Sequence, residues 1–174
     1  MEQAYVLRLY DTDLLSFSLS EQGIEGLKAQ IHSIDEEDRA LFPLDLELTD
    51  DGLVKWLQRR VIPKNRAYVA EILKTYGLSV NDTKGIIDVC KGLSLNDSYW
   101  VVPQGFTGTF AQYNLYENRF SEILSLVAYT GIGQSDAAFT TSPELTTNGM
   151  LPKAWRFIEG CLLYTSPSPR DVEE

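Results

Sequence analysis

The stretch Ser142-Pro-Glu-Leu-Thr-Thr-Asn-Gly-Met-Leu-Pro-Lys153 carries the residues best suited to handling phosphate. Gly149 and Lys153 stand four residues apart, just ahead of a predicted strand. Backbone amides freed by a glycine turn can surround phosphate oxygens, and a lysine adds positive charge. The spacing is not that of a Walker loop, which needs two glycines at set positions followed by Lys-Ser or Lys-Thr. On residue chemistry alone, an ordinary polar turn explains the stretch as well.

The other chemical candidates are weaker. Arg59-Arg-Val-Ile-Pro-Lys-Asn-Arg66 is a basic cluster that could meet phosphate or a partner. Its plainer reading is the solvated end of a helix, where cations complement the helix dipole. The one histidine, His32, has no serine elbow beside it, so a Ser-His-Asp triad has little support. Cysteine and histidine counts exclude zinc sites of the Cys/His type. Gly131-Ile-Gly133 follows a predicted helix and opens none, unlike a dinucleotide fingerprint. Asp35-Glu-Glu-Asp38 reads as an exposed loop.

These residues need elements to place them. Tyr5–Tyr10 and Leu14–Leu19 alternate apolar and polar residues and read as a hairpin, with Asp11-Thr-Asp13 as its turn. Residues 27–34 fit a third strand or a short helix. Thr49-Asp-Asp51 can cap a helix whose stripe is Leu53, Trp56 and Leu57. Asn65 is the expected cap of a second helix carrying Tyr68, Val69, Ile72, Leu73 and Tyr76, closed by Gly77. A third helix is expected over 82–91, stopped by Gly92. Tyr99–Val102 reads as a strand halted by Pro103, and 105–108 as a loop. A fourth helix is expected over 114–128, with Phe120, Ile123, Leu124 and Val127 on one side, ended by Gly131 and Gly133. Residues 135–143 read as polar loop or edge strand, 146–149 as a turn, and 154–158 as a strand.

The composition sets the class. With 44% hydrophobic and 11% aromatic residues, the chain can bury a core. No run of 18 apolar residues predicts a membrane span. The start, Met1-Glu-Gln-Ala-Tyr5, lacks the pattern of a secretory signal, and Cys90 lies on an apolar stretch. A reducing cytoplasm fits. The net charge of −10 repels phosphate backbones, so direct nucleic-acid binding is not expected. The fold class is α+β: an N-terminal β-hairpin region, a helical middle, and closing strands. The expected divisions are 1–48, 49–134 and 135–160, with 161–174 as a tail.

Four blocks carry a family resemblance: Trp56–Arg66, Leu93-Ser-Leu-Asn-Asp-Ser-Tyr-Trp100, Asn114-Leu-Tyr-Glu-Asn-Arg-Phe120 and Ser142–Arg156. Through them the chain resembles HipA-like serine/threonine kinases, in particular the compact clostridial and phage-associated type. The second and fourth blocks are the most specific. The resemblance implies that 135–160 holds the first strands of a truncated kinase-like lobe, in a bacterial protein of a toxin–antitoxin or phage-related locus. ATP and magnesium would be bound by the intact parent, with a protein substrate and an antitoxin as partners. Gly149–Lys153 resembles the family's phosphate-binding loop. Thr146 stands where relatives carry an autophosphorylated serine, and Thr147 is its neighbouring candidate. Phosphorylation there would add about −1.5 to −2 charges and switch the loop. The family's ATP-anchoring lysine, catalytic aspartate and magnesium ligands have no counterpart here. The fragment is therefore expected to lack kinase activity and to bind ATP poorly.

Cys161-Leu-Leu-Tyr-Thr-Ser-Pro-Ser-Pro-Arg-Asp171 matches the in-frame translation of a transposase adapter used in sequencing libraries. The natural sequence is then expected to leave off near Gly160, with 161–171 an artefact left out of the fold reading. The competing class of function is a non-catalytic interaction or regulatory module over 1–140, with the Arg59–Arg66 cluster in its contact surface. For Leu95–Trp100 the alternatives are a recognition surface and a capped, buried turn.

Overall fold

The computed structural model describes residues 2–22, 26–35, 37–118, 122–132, 142–146, 149–158 and 160–165. Its architecture is α+β. Strands β1 (Gln3–Leu9), β2 (Thr12–Gln22), β3 (Gly26–Ile34) and β4 (Tyr99–Pro103) form an antiparallel sheet in the order β3-β2-β1-β4. Alternation decides which face each side chain takes. Tyr5 and Leu7 of β1 and Leu15, Phe17 and Leu19 of β2 face the main core. Val6, Trp100 and Val102 face the other way, into a second cluster with Leu93, Phe110 and Leu115.

The hairpin forms as expected, but its turn is tighter. Leu9 pairs with Thr12, so the chain reverses over Tyr10-Asp11, and Thr12 and Asp13 belong to β2. A register shift after Leu7 sets Arg8 opposite Asp13, where the two form an ion pair. Tyr10 takes a left-handed φ of 52°. Such a conformation costs about 1–2 kcal/mol for a non-glycine residue. Tertiary bonds to the turn offset it: Tyr10 N donates to Ser98 O, Trp100 Nε1 donates to Tyr10 O, and Phe110 N donates to Asp11 Oδ1. The open choice over 27–34 resolves as strand.

Helix α1 (Asp50–Arg59) is capped by Thr49, whose hydroxyl accepts from Gly52 N, and it buries Leu53, Trp56 and Leu57. Gly52 is a test of packing against propensity. Alanine in a helix interior should gain about 1 kcal/mol over glycine. A Cβ at Gly52, however, would overlap the Glu47 carbonyl oxygen and crowd the Thr49 hydroxyl. Overpacking of this kind costs about 1–3 kcal/mol, so Gly52→Ala is expected to destabilise. A lowered thermal midpoint checks it; a raised one shows that the 47–49 segment yields freely.

The second helix is shorter than expected. Helix α2 spans Val69–Lys74, and its cap position is Tyr68, not Asn65. Pro63 O accepts from Arg66 N and Arg66 O from Val69 N, so two turns consume the residues before it. Ile72 and Leu73 are buried, while the Tyr68 ring packs on the bare α-carbon of Gly131. Gly77, at φ +69°, ends the element, with Leu78 N donating back to Leu73 O. Helix α3 (Thr83–Cys90) starts from an Asp82 cap, and its first amides donate to the Glu21 carboxylate of β2.

Of the helix expected over 114–128, only the later part is helical among the described residues. Helix α4 (Phe110–Tyr113) ends at Asn114, and α5 spans Glu122–Thr130. The Asn114 side chain accepts from Tyr116 N and Glu117 N, a local turn that competes with helix. Leu124 and Val127 are buried as expected, whereas Ile123 is exposed. Phe120, Gly133 and the 135–141 segment lie outside the described residues.

The strand expected at 154–158 is β5 (Ala154–Ile158), and it pairs antiparallel with β6 (Cys161–Thr165) across Gly160. Part of the adapter-like segment is thus a strand. Its Cys-Leu-Leu-Tyr-Thr run has the apolar, β-prone character that a hairpin partner needs. Residues 166–174 lie outside the described residues. Among the described residues no helix is long and apolar enough to cross a membrane.

Candidate phosphate-binding loop

A buried ion pair holds the candidate loop at its base. Ser142–Leu145 makes a short 3-10 turn, started by Pro143 and capped by the Ser142 hydroxyl. This turn buries Glu144 completely, against the Arg66 side chain, which is also fully buried. Arg66 donates to the Glu144 carboxylate, to Glu144 O at 2.6 Å and to Lys153 O at 3.3 Å. The other Glu144 oxygen accepts from Trp155 N at 2.9 Å. The chain therefore leaves Glu144 and returns to the same carboxylate at Trp155. Ala67 N donates to Met150 O at 2.8 Å, and the Ser125 hydroxyl donates to Trp155 O at 2.9 Å. These bonds tie the described residues on either side, 142–146 and 149–155, to Arg66, Ala67 and helix α5.

Gly149 and Lys153 meet inside that loop. Gly149 has φ +99°, and a Cβ built there would lie 2.7 Å from Lys153 Nζ. The lysine ammonium thus rests on a position only glycine leaves open. Burial and the nearby Arg66 guanidinium lower the Lys153 pKa, against the pull of Glu144. Thr146 is half-buried at the exit of the 3-10 turn, with its amide and hydroxyl both directed at Pro143 O. Thr147 lies outside the described residues. Met150 and Leu151 project into solvent.

A lysine beside a glycine turn is an arrangement that anionic groups can approach. For magnesium the fit is poor: among the described residues no group of three or more His, Cys, Asp or Glu could hold a metal ion.

The basic cluster is not a solvated helix end. Arg59 pairs with Asp45 at the surface and Lys64 reaches Asn81, but Arg60 and Arg66 are buried. The Arg60 fork grips both Asp97 oxygens at 2.7 and 2.8 Å. It also donates to Gly92 O and Tyr99 O and lies 4.4 Å over the Trp56 ring. The Leu95–Trp100 motif is accordingly spent inside the molecule, with Asp97 gripping Arg60 and Trp100 fully buried. His32 is exposed on β3. Burial pushes the Cys90 thiol up to about 11, so it is not a reactive thiolate.

Sequence reading missed both buried partnerships. Arg66–Glu144 spans 78 positions and Arg60–Asp97 spans 37, with no local pattern to link them. No family model, curated protein or solved structure matches the chain.

Proposed function

We propose that this chain is the N-terminal part of a HipA-like serine/threonine protein kinase, and that Gly149–Lys153 is its phosphate-binding loop. The observation that carries the reading is the seating of Lys153 Nζ against Gly149 in a loop closed by one buried carboxylate. In the intact parent, ATP and magnesium supply the γ-phosphate and neutralise its charge. Here Lys153 holds phosphate oxygens, Gly149 lets them approach the backbone, and Arg66 with Glu144 keeps the loop in shape. The acceptor is a serine or threonine hydroxyl of a protein target or of the loop itself, at Thr146 or Thr147. An antitoxin-type protein in the bacterial cytoplasm is the regulatory partner.

The test uses the product of the native reading frame continued past codon 160, incubated with γ-labelled ATP. Label is expected on protein, with Thr146 or Thr147 among the modified positions. Lys153→Ala is expected to lower transfer about 10²–10³-fold, as for loss of one charge-stabilising donor. Unchanged transfer in that variant refutes the loop assignment.

A second reading, a non-catalytic interaction module, is favoured by one feature of the sheet. Its outer strands have donors already occupied: Ile31 N by the Asp50 carboxylate and Val101 N by Lys91 O. Capped edges resist chance pairing, as expected of a self-sufficient body. A label-free product of the native frame, monodisperse in sedimentation, would support this reading.

A further inference from the structure

Lys91 holds its ammonium against two aromatic rings. Its Nζ lies 5.1 Å from the Phe106 ring centroid and 5.5 Å from that of Tyr113. Those rings are 5.3 Å apart, and each stands 5.9 Å from the ring of the fully buried Trp100. Gly108 lets them close, since a Cβ there would lie 2.5 Å from Phe106 and 2.6 Å from Tyr113. Lys91 also ends α3 at a left-handed φ of 53°, and its carbonyl accepts from Val101 N at 2.7 Å. Glycine takes such a position without steric cost; lysine does not. The cage is therefore built on a fixed backbone with a cation at its mouth.

That cage suits a positive charge but not N–H groups. An ammonium carries three donors. Among the described residues none of them meets a hydrogen-bond or ion-pair partner. The Asp88 carboxylate, whose field reaches Lys91, is engaged by Tyr5 and Lys84. Methyl groups on the nitrogen would remove donors, keep the charge and pack against ring faces. Aromatic cages recognise methylated ammonium groups in this way.

We propose that Lys91 is a site of Nε-methylation and that Phe106, Tyr113 and Trp100 hold the methylated ammonium. The methyl donor is a sulfonium compound, delivered by a methyltransferase. The ammonium first gives a proton to solvent. The neutral amine then attacks the sulfonium methyl carbon, an N–C bond forms, the C–S bond breaks, and a thioether leaves. Burial lowers the Lys91 pKa, against the pull of Cys90 and Asp88, and so enlarges the neutral share. Both rings follow Lys91 in the chain, so the amine is open until they pack beside Trp100.

The first measurement is the accurate peptide mass of the chain isolated from its source cells. One to three methyl groups on Lys91 are expected; an unmodified or acetylated Lys91 overturns the proposal. The fit of the cage is read on the chain reductively methylated with isotope-labelled formaldehyde in urea and refolded. The Lys91 N-methyl NMR signal is assigned by its loss in Lys91→Arg. It is expected upfield of every other dimethyl-lysine signal, with Overhauser contacts to the Phe106 and Tyr113 ring protons. A signal among those of the exposed lysines, without such contacts, overturns the cage. Phe106→Leu should move the signal back toward the others. The Overhauser contacts decide the matter without that variant if it fails to fold.

Discussion

Arg66→Ala is expected to destabilise the fold by about 3–5 kcal/mol, the usual cost of breaking a buried ion pair by removing one partner. The substitution strands the Glu144 carboxylate at zero exposure and leaves Glu144 O and Lys153 O short of a donor. The loss should depend on pH. In the intact protein, burial outweighs Arg66, Trp155 N and Lys153 and holds the Glu144 carboxyl above its ordinary value. A carboxyl raised on folding favours the folded state most in acid, and that contribution falls as pH rises through the raised value. Without Arg66 the carboxyl rises further. The gap between variant and parent should thus be smallest in acid, where Glu144 is protonated, and grow as pH rises. Urea midpoints measured from acid to neutral pH check this. A gap that does not grow with pH would mean that Arg66 acts by packing alone. Arg66→Met with Glu144→Gln should recover part of the loss, since Gln still accepts from Trp155 N.

The second large effect belongs to Arg60. Arg60→Ala removes a two-pronged grip on Asp97, two bonds to backbone carbonyls and a contact on Trp56. Charged hydrogen bonds contribute about 1.5–3 kcal/mol each, but they are not additive, and Asp97 is partly exposed. A total near 3 kcal/mol is expected. Arg60→Lys keeps the charge but not the planar fork, so it should restore less than half. Denaturant midpoints of Arg60→Ala, Asp97→Ala and the double variant complete the cycle. A coupling below about 0.5 kcal/mol would assign the effect to the carbonyl bonds and Trp56 instead of the ion pair.

Local chemistry in the sequence accounts for much of the fold. The period-2 pattern placed β1 and β2, the short Tyr99–Val102 run before Pro103 placed β4, and the Thr49 cap with its Leu53, Trp56 and Leu57 stripe placed α1. Misreadings came where distant contacts outweighed local preference. Asn65 looks like a helix cap, yet Arg66 must turn inward to Glu144, and the helix waits until Val69. Asn114 was expected to open a helix, yet its side chain folds onto the next amides and makes a turn there. At the candidate loop, residue type and spacing singled out Gly149 and Lys153, which the structure brings close together. The buried pair beneath them was not, because a charge pattern cannot say which arginine of a basic cluster is exposed. Arg59 is at the surface while Arg60 and Arg66 are buried, and only packing tells them apart.

The most direct test of the kinase reading is a long-read sequence of the native locus across codon 160. The proposal predicts that the frame departs from Cys161–Asp171 and runs on through a strand bearing an ATP-anchoring lysine to catalytic Asp and Asn motifs. A native gene that encodes Cys161–Glu174 and then stops would contradict it, leaving the chain as an interaction module.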